Sequence, residues 1–134
     1  MPQGGLLIAW NGSLFAGDHL FHNDFSLSLR FTSTLSGDSF ILSNIYGPCQ
    51  GPERDLFLNW FKNIQMPVDA NWIIMGDFNY VRFPSDRNRE GGNFTDMLHF
   101  NEAINALALV EIPLKGRQYT WSNMQDAPLL EKLD

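Results

Sequence analysis

The sequence predicts an α/β or α+β fold with a layered sheet core, and three observations carry that prediction. Phe25, Leu27, Leu29 and Phe31 alternate with Ser26, Ser28, Arg30 and Thr32, the period of two of a strand with one buried face. Leu56, Phe57, Trp60, Phe61 and Ile64 fall instead on one helical stripe, the period of 3.6 of an amphipathic helix. Trp72-Ile73-Ile74-Met75 is a short, wholly apolar run bounded by Asn71 and Gly76, the pattern of a central strand buried on both faces. Strands outnumber helices and the helices lie between strands, which is the arrangement of layered α/β and α+β domains.

Taken in order, Leu6-Leu7-Ile8-Ala9-Trp10 before Asn11-Gly12 reads as a first strand entering a hairpin turn. His19 and His22 follow in a polar stretch, flanked by Gly17-Asp18 and Asn23-Asp24, which reads as a strand-to-strand loop rather than a pair of ligands. The alternation over 24–32, the turn signal Ser36-Gly37-Asp38 and the apolar segment 39–46, stopped by Gly47-Pro48, pair as a hairpin. A helix is expected over 52–65, with proline suited to its first position. After the strand 72–75, residues 80–93 are rich in Arg, Asp, Asn and Gly and read as a loop. Met97, Phe100, Ile104 and Leu107 then step by three and four, with Asn93 or Thr95 as cap and Asp96 favourable in the first turn. Two short strands, 109–113 and 118–122, are expected around Lys115-Gly116. The final Leu130-Glu131-Lys132-Leu133-Asp134 resembles the start of another strand without a turn or cap, so residues 1–134 are read as one partial domain.

Composition narrows the function classes. The chain of 134 residues is 44 % hydrophobic and 18 % charged, the mixture of a globular protein and not of a fibrous or disordered one. A formal charge of −6 excludes the basic face that binds phosphate backbones by charge alone. One cysteine, Cys49, makes neither an internal disulfide nor a structural zinc site, and the three histidines do not supply the rest of one. Neither a signal peptide nor an apolar run of membrane-spanning length is evident, which predicts an intracellular, soluble protein, with the nucleus compatible.

The sharpest constellation is Gly76-Asp77-Phe78-Asn79 at the end of the buried run. Functional groups in layered α/β proteins gather where strands end. In an extended segment Asp77 and Asn79 would point to one side, the amide holding a phosphate oxygen while the carboxylate orients or deprotonates a water. A turn in which both side chains bond their own backbone fits the same four residues.

Four segments in order resemble the endonuclease/exonuclease/phosphatase superfamily: Gly4-Gly5-Leu6-Leu7-Ile8-Ala9-Trp10, Ser43-Asn44-Ile45-Tyr46-Gly47-Pro48, Ile74-Met75-Gly76-Asp77-Phe78-Asn79, and Tyr119-Thr120-Trp121-Ser122-Asn123 followed by Leu133-Asp134. More narrowly they resemble the endonuclease domain of plant non-LTR (LINE-type) retrotransposons, as do Arg82-Phe83-Pro84-Ser85-Asp86 and Leu129-Leu130-Glu131-Lys132-Leu133-Asp134. The resemblance implies a four-layered α/β sandwich that hydrolyses phosphodiesters of DNA with Mg²⁺ or Mn²⁺. By position, Tyr46 matches the tyrosine that contacts the scissile phosphate, Asp77 the aspartate that activates the attacking water at the metal, and Asn79 the asparagine that holds the phosphate. Asp134 matches the aspartate of a Leu-Asp motif that orients a histidine, and Trp121 an aromatic beside the substrate. Arg82 and Arg87, with Arg89, lie in a loop that also carries Asp86 and Glu90. The cluster's small net charge favours a solvated loop, while a local contact to the DNA backbone at Arg82 and Arg87 stays open.

Departures from the pattern weigh against activity. The family's metal-binding glutamate and an earlier asparagine lie upstream of the Gly-Gly strand, and Gln3 cannot replace them. The histidine of the closing Ser-Asp-His motif has no counterpart after Asp134, and His19, His22 and His99 match no family motif. The expectation is therefore a domain truncated at both ends, weakly active or inactive as a nuclease alone. A phosphatase branch of the superfamily and a non-catalytic transposon relic or binding module remain as alternatives.

Overall fold

Four strands form one sheet in the computed structural model, which describes residues 5–133. They are β1 (Phe15–His22), β2 (Ser26–Ser33), β3 (Ser39–Tyr46) and β4 (Trp72–Asp77), in that spatial order. Two helices, α1 (Glu53–Lys62) and α2 (Phe94–Ala106), and a two-stranded ladder of β5 (Trp121–Ser122) with β6 (Leu130–Glu131) complete the α+β set. The chain divides into two compact units, one of residues 1–46 and 65–77, the other of 47–64 and 78–134.

In the first unit β2 and β3 form the expected antiparallel hairpin, Leu29 opposite Leu42 and Phe31 opposite Phe40. Ser26, Ser28, Ile41, Ser43 and Ile45 are buried on one face of it. Buried hydroxyls need partners, and here the Ser28 and Ser43 hydroxyls bond each other at 2.7 Å while the Trp72 indole N–H donates to Ser43 Oγ at 2.9 Å. The other face collects rings. Phe31 meets Trp10, Phe15 and Phe40 at centroid distances of 5.2–6.2 Å, the first two edge-on, the spacing at which such pairs attract.

The opening of the chain differs from expectation. Residues 6–10 form no strand; the outer edge of β2 is taken by β1, and the Leu7 carbonyl instead accepts from the Asn44 amide at 3.2 Å. Asn11-Gly12 turns the chain into β1, with the Leu14 and Phe15 N–H groups both bonded to the Asn11 carbonyl. The histidine segment read as a loop is the second half of β1. Its pattern was obscured because the ladder slips between His19 and Phe21, leaving Leu20 without a partner, which is a β-bulge on an edge strand.

β4 also departs from its prediction. It runs parallel to β3, from Ile41 opposite Trp72 to Tyr46 opposite Asp77. Among the described residues it ends the sheet, and Ile73 and Met75 are exposed. A four-residue apolar run satisfies both a central and a half-open strand, and periodicity cannot separate the two. Parallel neighbours require a long crossover, and the stretch between β3 and β4 carries α1.

The second unit is organised by stacked aromatic rings. Phe57 and Phe61 lie one turn apart on α1, with ring planes 5° apart. Tyr80 stacks on Phe57, Phe78 and Phe100 meet Phe61, and Tyr80 closes on Phe100 at 5.2 Å. The buried stripe of α1 is Phe57, Leu58 and Phe61, whereas Leu56 is exposed. Pro52 occupies the cap position of α1 rather than its first turn. α2 buries Met97, Phe100, Ala103 and Ile104, and its cap is Asn93, whose side chain accepts from the Asp96 N–H at 3.0 Å. No strand forms over 109–113, where Val110 and Ile112 are exposed, and the expected strand 118–122 contracts to β5. The Leu130 and Glu131 stretch is the strand its pattern suggested, paired to β5 and bridged to Arg87.

Candidate functional site

The parallel pair β3 and β4 ends with Tyr46 directly opposite Asp77. Both residues thus sit at the carboxyl ends of adjacent parallel strands, where layered α/β proteins place ligands. The glycine before Asp77 makes this approach geometrically feasible. Gly76 has φ +130°, and a Cβ there would come within 2.0 Å of the Ile45 carbonyl oxygen, so only glycine permits the β3 and β4 backbones to run this close. Tyr46 is exposed and its N–H is tied to the Phe25 carbonyl at 2.8 Å.

Asn79 belongs to the second unit, and it is not extended. β4 stops at Asp77, and Asn79 has φ 54°, the left-handed region that asparagine tolerates better than most residues. The premise that Asp77 and Asn79 share a face through strand alternation therefore does not apply. The Asn79 amide donates to the Gly47 carbonyl at 2.6 Å. A Cβ on Gly47 would meet the Phe78 carbonyl oxygen at 2.2 Å, so Gly47 is the residue that lets these two stretches of backbone touch.

Arg54, on the first turn of α1, is the hub of the second unit and was not signalled by the sequence. Its Nη1 donates to the carbonyls of Pro48, Cys49 and Asn79 at 3.1, 3.3 and 2.9 Å, and its Nη2 to Asp96 Oδ2 at 2.9 Å. Its guanidinium lies 3.9 Å from the centre of the Tyr80 ring, a cation–π contact, and the Tyr80 hydroxyl donates back to the Arg54 carbonyl at 3.1 Å. Burial pushes the Tyr80 phenol up to about 12, against the opposing pull of the Arg54 charge. These groups line a cleft of 440 Å³ whose other charged walls are Arg87 and Glu131.

The arginines of the 80–93 segment all have partners, although Arg89 is exposed. Arg82 donates to Asn101 Oδ1 at 2.8 Å and pairs with Glu111 at 2.7 Å, Arg87 pairs with Glu131 at 2.7 Å, and Arg89 donates to the Ala127 carbonyl. Arg82 and Arg87 are mostly buried, so the expected solvated loop is an ion-paired strap fastened to the last quarter of the chain. Trp121 stands exposed on β5. Asp134 lies outside the described residues; Leu133 before it is buried and accepts from the Phe78 N–H at 3.1 Å.

Among the described residues, no group of three or more His, Cys, Asp or Glu side chains is placed to hold a metal ion. Asp77 is the carboxylate that the sequence offers to one, and a hard divalent cation seeks several oxygen ligands around it. Among those residues no helix is long and apolar enough to cross a membrane.

No family model matches the sequence. Over 79 residues, 58 % of its length, the chain is 33 % identical to the transposon TX1 uncharacterized 149 kDa protein of Xenopus laevis, and it spans 6 % of that protein.

Proposed function

We propose that the chain derives from the endonuclease domain of a retrotransposon, a divalent-metal-dependent phosphodiesterase acting on DNA, and that by itself it cleaves DNA weakly or not at all. The register pairing of Tyr46 with Asp77 at the carboxyl ends of two parallel strands carries this reading, because it puts a phenol and a carboxylate where such folds do their chemistry. The likeness to a transposon-encoded protein supports the origin. The narrower assignment, to plant LINE-type elements with a four-layered sandwich, rests on the order of the motifs quoted above.

In this reading Asp77 orients or deprotonates the attacking water, while Tyr46 and Asn79 hold the phosphate and offset the charge that develops on it. Mg²⁺ or Mn²⁺ would supply Lewis-acid stabilisation of that charge, with Asp77 as one ligand. Trp121 is the proposed contact to the DNA, Arg82 and Arg87 would reach it by giving up their pairs with Glu111 and Glu131, and Asp134 matches the aspartate that in the family orients a histidine. The expected weakness rests on the motif comparison, in which the family's metal-binding glutamate and closing histidine have no counterpart among the quoted segments.

A second reading, a non-catalytic relic or binding module, is favoured by the Asn79 amide, which is bonded to the Gly47 carbonyl. Nicking of supercoiled plasmid with and without Mg²⁺ separates the two. Metal-dependent nicking that disappears in Asp77→Ala supports the nuclease reading, and binding without cleavage supports the module. Release of phosphate from small phosphoesters, with plasmid intact, would move the reading to the phosphatase branch.

A further inference from the structure

Residues three apart on a regular strand point to opposite faces. His19 and His22 do not. The bulge takes Leu20 out of the ladder, so His19 pairs with Leu29 and His22 with Leu27, two positions that are themselves two apart and share a face of β2. The slip converts a spacing of three into an effective spacing of two. The result is a close pair of rings, 5.1 Å between centroids, with His19 Nε2 and His22 Nδ1 facing each other at 2.9 Å. Both side chains are exposed on the edge strand.

We propose that His19 and His22 form a two-imidazole chelate for a divalent transition-metal ion, Cu²⁺ or Ni²⁺ by preference. Two ligand nitrogens at about 2.05 Å from a metal are roughly 2.9 Å apart when they meet it at a right angle and roughly 3.3 Å apart in a tetrahedron. The 2.9 Å hydrogen bond that now joins the two rings shows that both nitrogens come within that range. Imidazole nitrogens suit Cu²⁺ and Ni²⁺, and Cu²⁺ is the strongest of the first-row divalent ions toward such ligands. Binding requires both facing nitrogens to be unprotonated, so the hydrogens move to His19 Nδ1 and His22 Nε2. The proton now shared between the rings is displaced to an outer nitrogen, and the exposed side chains turn so that each lone pair swings by roughly 45° from the line joining the nitrogens and both meet one ion. No third His, Cys, Asp or Glu joins them among the described residues, so water fills the remaining positions.

The test is titration of the whole chain with CuCl₂ and NiCl₂, followed by calorimetry and, for copper, electron paramagnetic resonance. The expected result is one ion per chain, a copper spectrum split by two nitrogens, and a loss of affinity of about tenfold or more in His19→Gln and in His22→Gln, because each variant removes the pre-placed second ligand. His99→Gln, on α2, should bind as the parent does. Unfolding midpoints in metal-free buffer should agree among all four proteins, so that a loss of binding is not a loss of fold. Undiminished affinity in either variant of the pair, or a one-nitrogen spectrum, overturns the proposal.

Discussion

The side-chain amide of Asn79 donates to the Gly47 carbonyl at 2.6 Å while its own backbone sits in the left-handed region at φ 54°. Two separate costs therefore attach to its replacement. Asn79→Ala loses the hydrogen bond, about 1 kcal/mol net, and places a less tolerant residue at positive φ, about 1 kcal/mol more. A destabilisation of about 2 kcal/mol in urea unfolding is expected. Asn79→Gly, which keeps the backbone freedom, should recover part of it. A residue serving only the substrate would show neither effect.

Arg54 ties three carbonyls, one carboxylate and one aromatic face together from a largely buried position. A lysine cannot reproduce a planar fork with that many directed donors. Arg54→Lys should cost about 2–4 kcal/mol. In a double-mutant cycle, Arg54→Lys and Asp96→Asn should be non-additive, because the two side chains share one ion pair. Additive losses would show that the pair is incidental.

Gly76 tests the close approach of β3 and β4. Gly76→Ala puts a methyl group against the Ile45 carbonyl, where the nearest neighbour is rigid backbone. A loss above about 4 kcal/mol, or failure to fold, is expected. Gly12→Ala meets nothing within 4 Å and should stay within about 0.5 kcal/mol of the parent. Circular dichroism melts of the two variants side by side give the comparison.

Glu111 provides an acid-sensitive fastening. Its bond from Lys132, and then that from Arg82, hold its carboxyl below the usual range against the opposing effect of partial burial. A carboxyl with a depressed folded-state pKa binds fewer protons than the same group in the unfolded chain. Its contribution is therefore complete above the ordinary glutamate value and fades as pH falls below about 4.3. Urea midpoints measured from pH 7 downward should fall more steeply in the parent than in Glu111→Gln, the two curves converging at low pH.

Removal of divalent ions is informative in the opposite sense. With Asp77 as the one carboxylate the sequence offers to Mg²⁺, EDTA should leave the unfolding midpoint of the chain unchanged, since an ion stabilises only in proportion to its binding to the folded state. An upward shift of the midpoint by millimolar Mg²⁺ would show a more complete site than the described donors provide.

What was legible in the sequence was what local pattern determines. The β2 and β3 hairpin is marked by the alternation of β2 and a turn signal between the strands, although the serine face of β2, expected to be open, is buried as well at Ser26 and Ser28 because Ser43 and Trp72 satisfy its hydroxyls there; the Asn93 cap of α2 is a short-range bond to Asp96. β1 is hidden in the sequence because Leu20 interrupts its alternation. The run 72–75 marks β4 as a strand but not as an edge, since exposure of Ile73 and Met75 depends on which neighbours the strand has and not on its own residues. The candidate site divides the same way. The motif places Tyr46 and Asp77 at strand ends, and the register, which the motif does not encode, sets them opposite one another. The conformation of Asn79 and the hub at Arg54 depend on partners up to 42 residues away, and no short segment encodes those.

The slip at Leu20 also bears on how this strand tolerates change in length. Because the extra residue is looped out where it occurs, the chain on either side keeps its inward and outward faces. Excising Leu20 would join His19 to Phe21 with pairing already in step, and His19 and His22 would remain side by side. A deletion that would invert half of a regular strand is here absorbed at one position, so the edge of this sheet can lose a codon without exchanging its buried and exposed residues.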